Sequence, residues 1–449
     1  MDFSKRAFDH SYHIDPIVRS LLDTDFYKLL MLQVIWKKHY HTRVTFSVTN
    51  RTKSVRLADT ISIDVLRAHL DHVRSLRFRE SELVWLRGQT FYGQRGLFEE
   101  GFLDFLRTFS LPDYSLAPEV IDGAPTGQFA LEFHGTWPQT TLWEIYALEI
   151  INELRYREIM RGMNRSQLDI MYARAKVKLY DKLTVLADVD GLNLSDFGTR
   201  RRHSFLWQEH CVLTAKEVLG GKFTGTSNAY LAMKHDLEAK GTNAHELPMV
   251  MAALATSDEE LKNSQYAVLE EWQNVYRGGL LVMLPDTFGT TQFLDGLSPV
   301  LARAWMGARP DSKDPIAGGE ELIAFWKKAD PAHVEEKLII FSDGMDVKIP
   351  GFDLHGSDIP TVHRHFQGRV RVGFGFGTNL TNDFLGCHPK GHDVMKAVSL
   401  VCKVKDADGR GAVKLSDVKS KATGTTPDII RYRRVFGDAG VAEGSVPLV

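Results

Sequence analysis

A chain of 449 residues, 43% hydrophobic and 25% charged, has the composition of an ordinary globular protein, long enough for two domains or for one α/β barrel with additions. A formal net charge of −2 and a pI near 6.8 exclude an overall positive field for nucleic acid, so any anion site must be local. Three scattered cysteines, Cys211, Cys387 and Cys402, make neither a disulfide framework nor a CxxC metal site and predict reduced thiols in a cytoplasmic protein.

In chain order, the polar start MDFSKRAFDHSYH lacks the apolar core of a secretory leader. Positions 21–39 carry an amphipathic helical pattern, and TRVTFSVTN (42–50) alternates like a half-buried strand. A charged, Leu-rich helical stretch covers roughly 56–86. GQFALEFHG (127–135) alternates again, with Phe129, Leu131 and Phe133 on one face. From about 142, LWEIYALEIINELRYREIM predicts a long helix leading out of an N-terminal α+β domain, residues 1–150.

Beyond residue 190, short apolar runs ending in small or polar residues alternate with helical patterns. The runs are LNLSDFGTR (192–200), FTGTSN (223–228), LLVMLPDTFGT (280–290), WMGARPDS (305–312), LIIFSDGMD (338–346) and VRVGFGFGTN (370–379). Buried parallel strands joined by helices have this texture, and none of the runs is long enough to span a membrane. Ends spread evenly over the segment favour an irregular, TIM-like α/β barrel over an open sheet, with the catalytic rim at the strand C-termini of residues 151–385. AVSLVCKVKD (397–406) and GAVKLSD (411–417) predict strands by which a C-terminal segment, 386–449, returns to the first domain's sheet. The Gly- and Val-rich last stretch reads as a surface tail.

The rim carries the chemistry. GTNAHELP (241–248) sets His245 after a Gly-Thr-Asn turn and ahead of Pro248 and an apolar run, the order of a loop opening a helix. Such a histidine is a ligand, a nucleophile, a general base or a loop residue without a role. DFGTRRRHS (196–204) offers Arg200, Arg201 and Arg202 for phosphate or carboxylate, or as a solvated basic face. Of these, Arg200 lies closest to the strand end. GFGFGTN (373–379) reads as a phosphate cradle of backbone N–H groups or as tight turn packing. Asp311 and Asp343, at two matched strand ends, suit ribose hydroxyls or a Mg²⁺ riding on a diphosphate. His363-Arg364-His365 has the HxH form of barrel metallohydrolases but falls at a helix end before a strand, the wrong end of a barrel. Arginines, glycine-rich turns and aspartates together make a phosphosugar site in character.

In this order the segments make the chain similar to the nicotinate phosphoribosyltransferase family, with its type II phosphoribosyltransferase fold. The resemblance runs through LLDTDFYKLLM (21–31), FGTRRR (197–202), GTSN (225–228), GTNAHE (241–246), DSKDP (311–315), FSD (341–343), GFGTNLTND (375–383) and VKLSD (413–417). It implies a homodimer with shared active sites that joins nicotinate to 5-phosphoribosyl-1-diphosphate, with ATP hydrolysed as co-substrate and Mg²⁺ carried on the diphosphate. By the resemblance, His245 is the phosphorylated histidine, and Tyr27, offered by a partner subunit, and Phe197 sandwich the pyridine. Thr242 and Arg309 contact nicotinate, Thr378 contacts the phosphoribosyl group, and Gly344 and Gly377 are further substrate-binding positions. Arg200, Asp311 and Asp343 line diphosphate and ribose. Ser227 stands where related nicotinamide enzymes place an acidic residue, which favours a carboxylate substrate. A histidine at a helix start should stay neutral and nucleophilic, with Glu246 capping the helix or fixing the ring tautomer. Lys313 replaces the family's usual glycine in DSGDP, implying either a strained turn or an added cation. The competing readings are transfer to nicotinamide or quinolinate, a non-catalytic phosphate-metabolite barrel, and a metal-dependent hydrolase.

Overall fold

The computed structural model describes residues 11–90, 96–391 and 393–443. The leader reading rests largely on residues 1–10, and the end of the tail on 444–449, both outside the described residues.

Alternating residues build the first sheet, ordered β13-β12-β1-β3-β2. Its strands are β1 (Arg43–Asn50), β2 (Tyr114–Ile121), β3 (Ala124–Thr136), β12 (Leu400–Ala407) and β13 (Arg410–Gly411). Phe129, Leu131 and Phe133 are buried on one face, and Phe133 stacks on Trp143 at 4.6 Å. β12 pairs antiparallel with β1, from Val44 opposite Ala407 to Asn50 opposite Leu400, so the C-terminal chain completes this sheet as expected.

The second sheet is parallel, in the order β5-β4-β11-β8-β7-β6. It joins β4 (Leu194–Asp196), β5 (Phe223–Thr226), β6 (Val282–Met283), β7 (Gly307–Ala308), β8 (Leu338–Phe341) and β11 (Arg371–Phe376). A small pair, β9 (Met345–Asp346) with β10 (Ser357–Asp358), follows β8. All six sequence runs are therefore strands of one sheet, as an α/β barrel requires. Strand pairing does not join the outer strands β5 and β6 among the described residues. The extended segment after Leu237 lies between them instead: Lys240 N donates to Thr226 O at 2.8 Å, and Asn243 Nδ2 reaches Val282 O at 3.5 Å.

Three expectations change. Helix α1 (Phe26–Lys38) is not amphipathic; Phe26 to Ile35 are buried on every side, because it is covered by helices Trp137–Thr140 and Asp258–Val275. The 56–86 stretch is three helices, broken at Ile61-Ser62 and again at 76–79. After the two-residue β13, residues 413–417 leave the first sheet and bind the second, with Leu415 N donating to Thr287 O at 2.9 Å. The C-terminal segment thus serves both sheets, and helix α6 (Thr426–Phe436), unforeseen in the sequence, stacks Phe436 on Phe288.

The long helix α2 (Trp143–Arg161) is buried continuously from Trp143 to Tyr156. It packs against β1 and β12 on one side and the turn at Thr199–Arg201 on the other. That contact fixes the first sheet over the rim of the second.

Candidate active site

Between that rim and the first sheet lies one cavity of about 1790 Å³. The parallel-sheet side supplies Phe197, Arg200, Thr242, His245, Arg309 and Asp311, joined at the outer lip by Asp343, Gly344, Gly377 and Thr378. The covering layer supplies Tyr27, Arg51, Glu144 and Lys403 of the same chain. The resemblance implied that a second copy provides Tyr27; here one chain brings Tyr27 and Phe197 to one cavity.

His245 ends the extended segment as the N-cap of helix α4 (Glu246–Leu254), with Pro248 in its first turn. Gly241 is required upstream, since a Cβ there would lie 2.7 Å from the backbone nitrogen of Tyr27. The imidazole is nearly enclosed. Its Nδ1 lies 3.0 Å from Thr287 Oγ1, and its Nε2 accepts from Lys414 Nζ at 2.9 Å. Asp311 Oδ2 at 3.2 Å and Asp286 Oδ2 at 3.6 Å flank the same nitrogen. Burial pushes the histidine pKa down to about 4, the Asp286 and Asp311 carboxylates pulling it up and the Lys414 ammonium adding to the depression. An ammonium has no lone pair, so its contact requires an unprotonated Nε2, and Nδ1–H then donates to Thr287. A neutral, nucleophilic nitrogen faces the cavity.

Asp311 also accepts from Arg309 Nη1 at 2.9 Å and from Ser342 Oγ at 2.8 Å. Although burial pushes it up, the Arg309 guanidinium holds its carboxyl well below the usual range. Arg309 Nη2 in turn donates to Asn243 O at 3.0 Å, tying the histidine loop to β7. Asp343 pairs with Lys421 at 2.6 Å and is half-exposed.

The three arginines divide their work. Arg200 faces the cavity, 3.5 Å from Glu144 Oε1. Arg201 also lines it; burial, with the Arg200 charge beside it, pushes Arg201 down to about 10. Arg202 is fully buried and bidentate on Asp23 at 2.6 and 2.9 Å, so it is structural rather than a solvated face.

Several expected roles do not hold. Ser227 does not line the cavity; it is completely buried and donates to Asp25 Oδ1 at 2.6 Å, and the lining residue is Asp25. Asp25, from the other end of the chain, thus brings a carboxyl to the cavity beside Ser227, and burial pushes its pKa up. Glu246 neither caps α4 nor touches the imidazole. It accepts from Trp137 Nε1 at 2.6 Å and Thr141 Oγ1 at 2.7 Å and pairs with the buried Lys28, which also binds Glu144 at 2.6 Å. Lys313 has no left-handed backbone, and its ammonium is bound to Glu321 and to Thr291 Oγ1, so it neither strains the turn nor offers a free cation. GFGFGTN is mostly strand: β11 runs to Phe376, and only Gly377 and Thr378 reach the rim. His363 Nε2 binds Asp190 O at 2.9 Å and His365 pairs with Glu320, on helix α5 (Ile359–Phe366) before β11, away from the rim.

Sequence reading missed Lys414, Asp286, Thr287, Lys403 and Glu144. Lys414 sits inside the quoted VKLSD, where the alternation hid it as a strand residue. Asp417 of the same motif accepts from Thr290 N at 2.7 Å and Ser312 Oγ at 2.9 Å, clamping the loops after β6 and β7. Burial pushes Lys403 down to about 8, Glu144 opposing and Arg200, Lys414 and Arg51 adding to the shift.

Residues 192–439 match the nicotinate phosphoribosyltransferase (NAPRTase) family, and residues 22–152 match the NAPRTase N-terminal domain. The nicotinate phosphoribosyltransferase of Vibrio cholerae is similar over 94% of this chain and 95% of its own, at 29% identity and a TM-score of 0.81. That of Porphyromonas gingivalis is similar over 94% of this chain and all of its own, at 26% identity and a TM-score of 0.77. The chain belongs to the nicotinate phosphoribosyltransferase (NAPRTase) family.

Proposed function

We propose that the protein joins nicotinate to 5-phosphoribosyl-1-diphosphate, giving nicotinate mononucleotide and diphosphate, and couples this to ATP hydrolysis through phosphorylation of His245. The observation that carries the reading is one cavity holding an aromatic pair, Tyr27 and Phe197, and a neutral imidazole flanked by Lys414. In the transfer step the pyridine nitrogen forms a bond to the anomeric carbon as the carbon–oxygen bond to diphosphate breaks. Flat walls that align nitrogen and carbon are worth roughly 7 kcal/mol or more. Arg200, Arg201 and Lys403 line the same cavity and in this reading stabilise charge on the departing diphosphate. Thr242 and Arg309 take the nicotinate end, Gly344, Gly377 and Thr378 the phosphoribosyl end.

In the coupled step His245 Nε2 takes the γ-phosphoryl group of ATP, forming an N–P bond as ADP leaves, and water later cleaves that bond. Lys414 then pairs with the phosphate rather than with the lone pair. Mg²⁺ in this reading arrives on the polyphosphates, for which Asp311 and Asp343 provide carboxylate oxygens at the rim; it would neutralise their charge. Among the described residues no helix is long and apolar enough to cross a membrane. We place the reaction in the cytoplasm, where buried Cys211, Cys387 and Cys402 stay reduced. We take residues 151–385 as the catalytic unit and 1–150 with the C-terminal segment as its cover. The protein assembles in this reading as a homodimer, with Tyr27 and Phe197 already meeting in the cavity of one chain.

The test offers nicotinate, nicotinamide and quinolinate with 5-phosphoribosyl-1-diphosphate, with and without ATP. Nicotinate alone should react, and ATP should raise its turnover. Preference for either other base would overturn the assignment.

A further inference from the structure

The cavity does not end at the rim. It continues past Ser195 through the interior of the parallel sheet to the strand starts, where Asn193, Met306, Leu338, Ile340 and Gly373 line it. The interior of an α/β barrel is normally filled by layers of inward side chains. Here the pattern is inverted. On β8, Leu338 and Ile340 face the inside and are partly exposed, while Ile339 and Phe341 point outward into the helices and are buried.

The reason is β11. Its inward positions are Gly373 and Gly375, continued by Gly377. A Cβ on Gly375 would press on the Phe197 ring at 3.1 Å, at the level of the aromatic clamp. A Cβ on Gly373, one layer lower, would meet nothing closer than Ile340 and Leu338 at 3.9 Å and Asn193 at 4.0 Å. A Cβ there would sit in ordinary van der Waals contact with those side chains, and the backbone of Gly373 is not left-handed, so glycine leaves to the cavity a volume that a small side chain could fill without strain. The charged residues lining this lower section are Lys240 and Arg371, with Glu238 beside Lys240 at 2.6 Å; the lining carboxylates all belong to the upper part.

We propose that this lower channel is a second entrance, through which a small aromatic carboxylate reaches Phe197 from the strand starts while polyphosphates occupy the rim. The lining fits that class: apolar walls from Met306, Leu338 and Ile340 for a ring, polar Asn193 and Ser195, and Arg371 at the exposed lip to attract an anion. At the level of Gly373 the strand β11 adds no side chain to these walls, which leaves the lower section to a flat ring, whereas triphosphate has the cationic rim. This rests on the function proposed above only for the identity of the base.

The test uses benzoate, an aromatic carboxylate without the reacting nitrogen, and the intact protein with inorganic diphosphate filling the rim. NMR line broadening reads benzoate association for wild type, Gly373→Leu and Arg371→Glu. Gly373→Leu should slow association at least about tenfold, and Arg371→Glu should slow it and abolish its acceleration at low salt. Steady-state kinetics should show a matching fall in kcat/KM for nicotinate, with the KM for 5-phosphoribosyl-1-diphosphate kept. Wild-type association in a folded Gly373→Leu protein would overturn the channel. If Gly373→Leu does not fold, wild-type association in Arg371→Glu does the same. Loss of the proposed function reads differently: wild type then makes no nicotinate mononucleotide, whatever benzoate does.

Discussion

His245 is defined by its partners more than by its place in a motif. Thr287 holds Nδ1, so Thr287→Val should cost the ring its tautomer and slow phosphoryl transfer from ATP on the order of tenfold to a hundredfold, read by single-turnover labelling. The pH behaviour follows from the depressed pKa. A histidine near 4 is already neutral at pH 6, so labelling should be flat through the usual histidine range and fail only as pH falls toward 4, where Nε2 gains a proton. Lys403, near 8, is charged below that pH and neutral above it. The KM for 5-phosphoribosyl-1-diphosphate should therefore rise above about pH 8, and Lys403→Arg should remove that rise. The sequence made His245, Arg309 and Asp311 legible because each lies in a short motif at a strand end. It hid Lys414 and Lys403, whose roles arise only when β12 and the segment after it return to the rim, Lys414 meeting His245 across 169 positions of chain.

At the scale of elements, the covering layer is locked to the histidine helix by a buried ion cluster. Lys28 on α1 is fully buried between Glu246, at the start of α4, and Glu144, at the start of α2, and Glu144 continues to Arg200. Removing one partner of such a cluster strands the others. Lys28→Met should lower the unfolding free energy by about 3–5 kcal/mol, and adding Glu144→Gln should restore part of it, as thermal or urea unfolding would show. Most strands were read from alternation and apolar runs, since burial on one or both faces writes those periods directly, but β2 was missed and 413–417 forms no strand of the first sheet. Helix α1 misled for the opposite reason: covered on every side, it has no polar face, and its Lys28 and Gln33 are buried polar groups that look like a solvated stripe in sequence. GFGFGTN misled because glycines that empty a sheet interior look the same in sequence as glycines that cradle phosphate.

For the whole molecule, the architecture sets the proposed site in a cavity between two sheets of one chain. Tyr27, Arg51, Glu144 and Lys403 come from the cover and the rest from the rim, with α2 holding the two in register. Turnover per chain should then be independent of protein concentration across any association equilibrium, measured by activity and sedimentation over the same dilution series. A fall in specific activity on dilution would mean that a second copy supplies part of the site. Net charge near zero concealed the concentrated cations of the cavity, which only the fold gathers.

The central claim is that ATP phosphorylates His245 to drive ring transfer, and labelling with γ-phosphate-labelled ATP tests it most directly. Wild type should acquire acid-labile, base-stable phosphate that nicotinate and 5-phosphoribosyl-1-diphosphate discharge, and His245→Asn should acquire none. Undiminished labelling of folded His245→Asn protein would contradict the account.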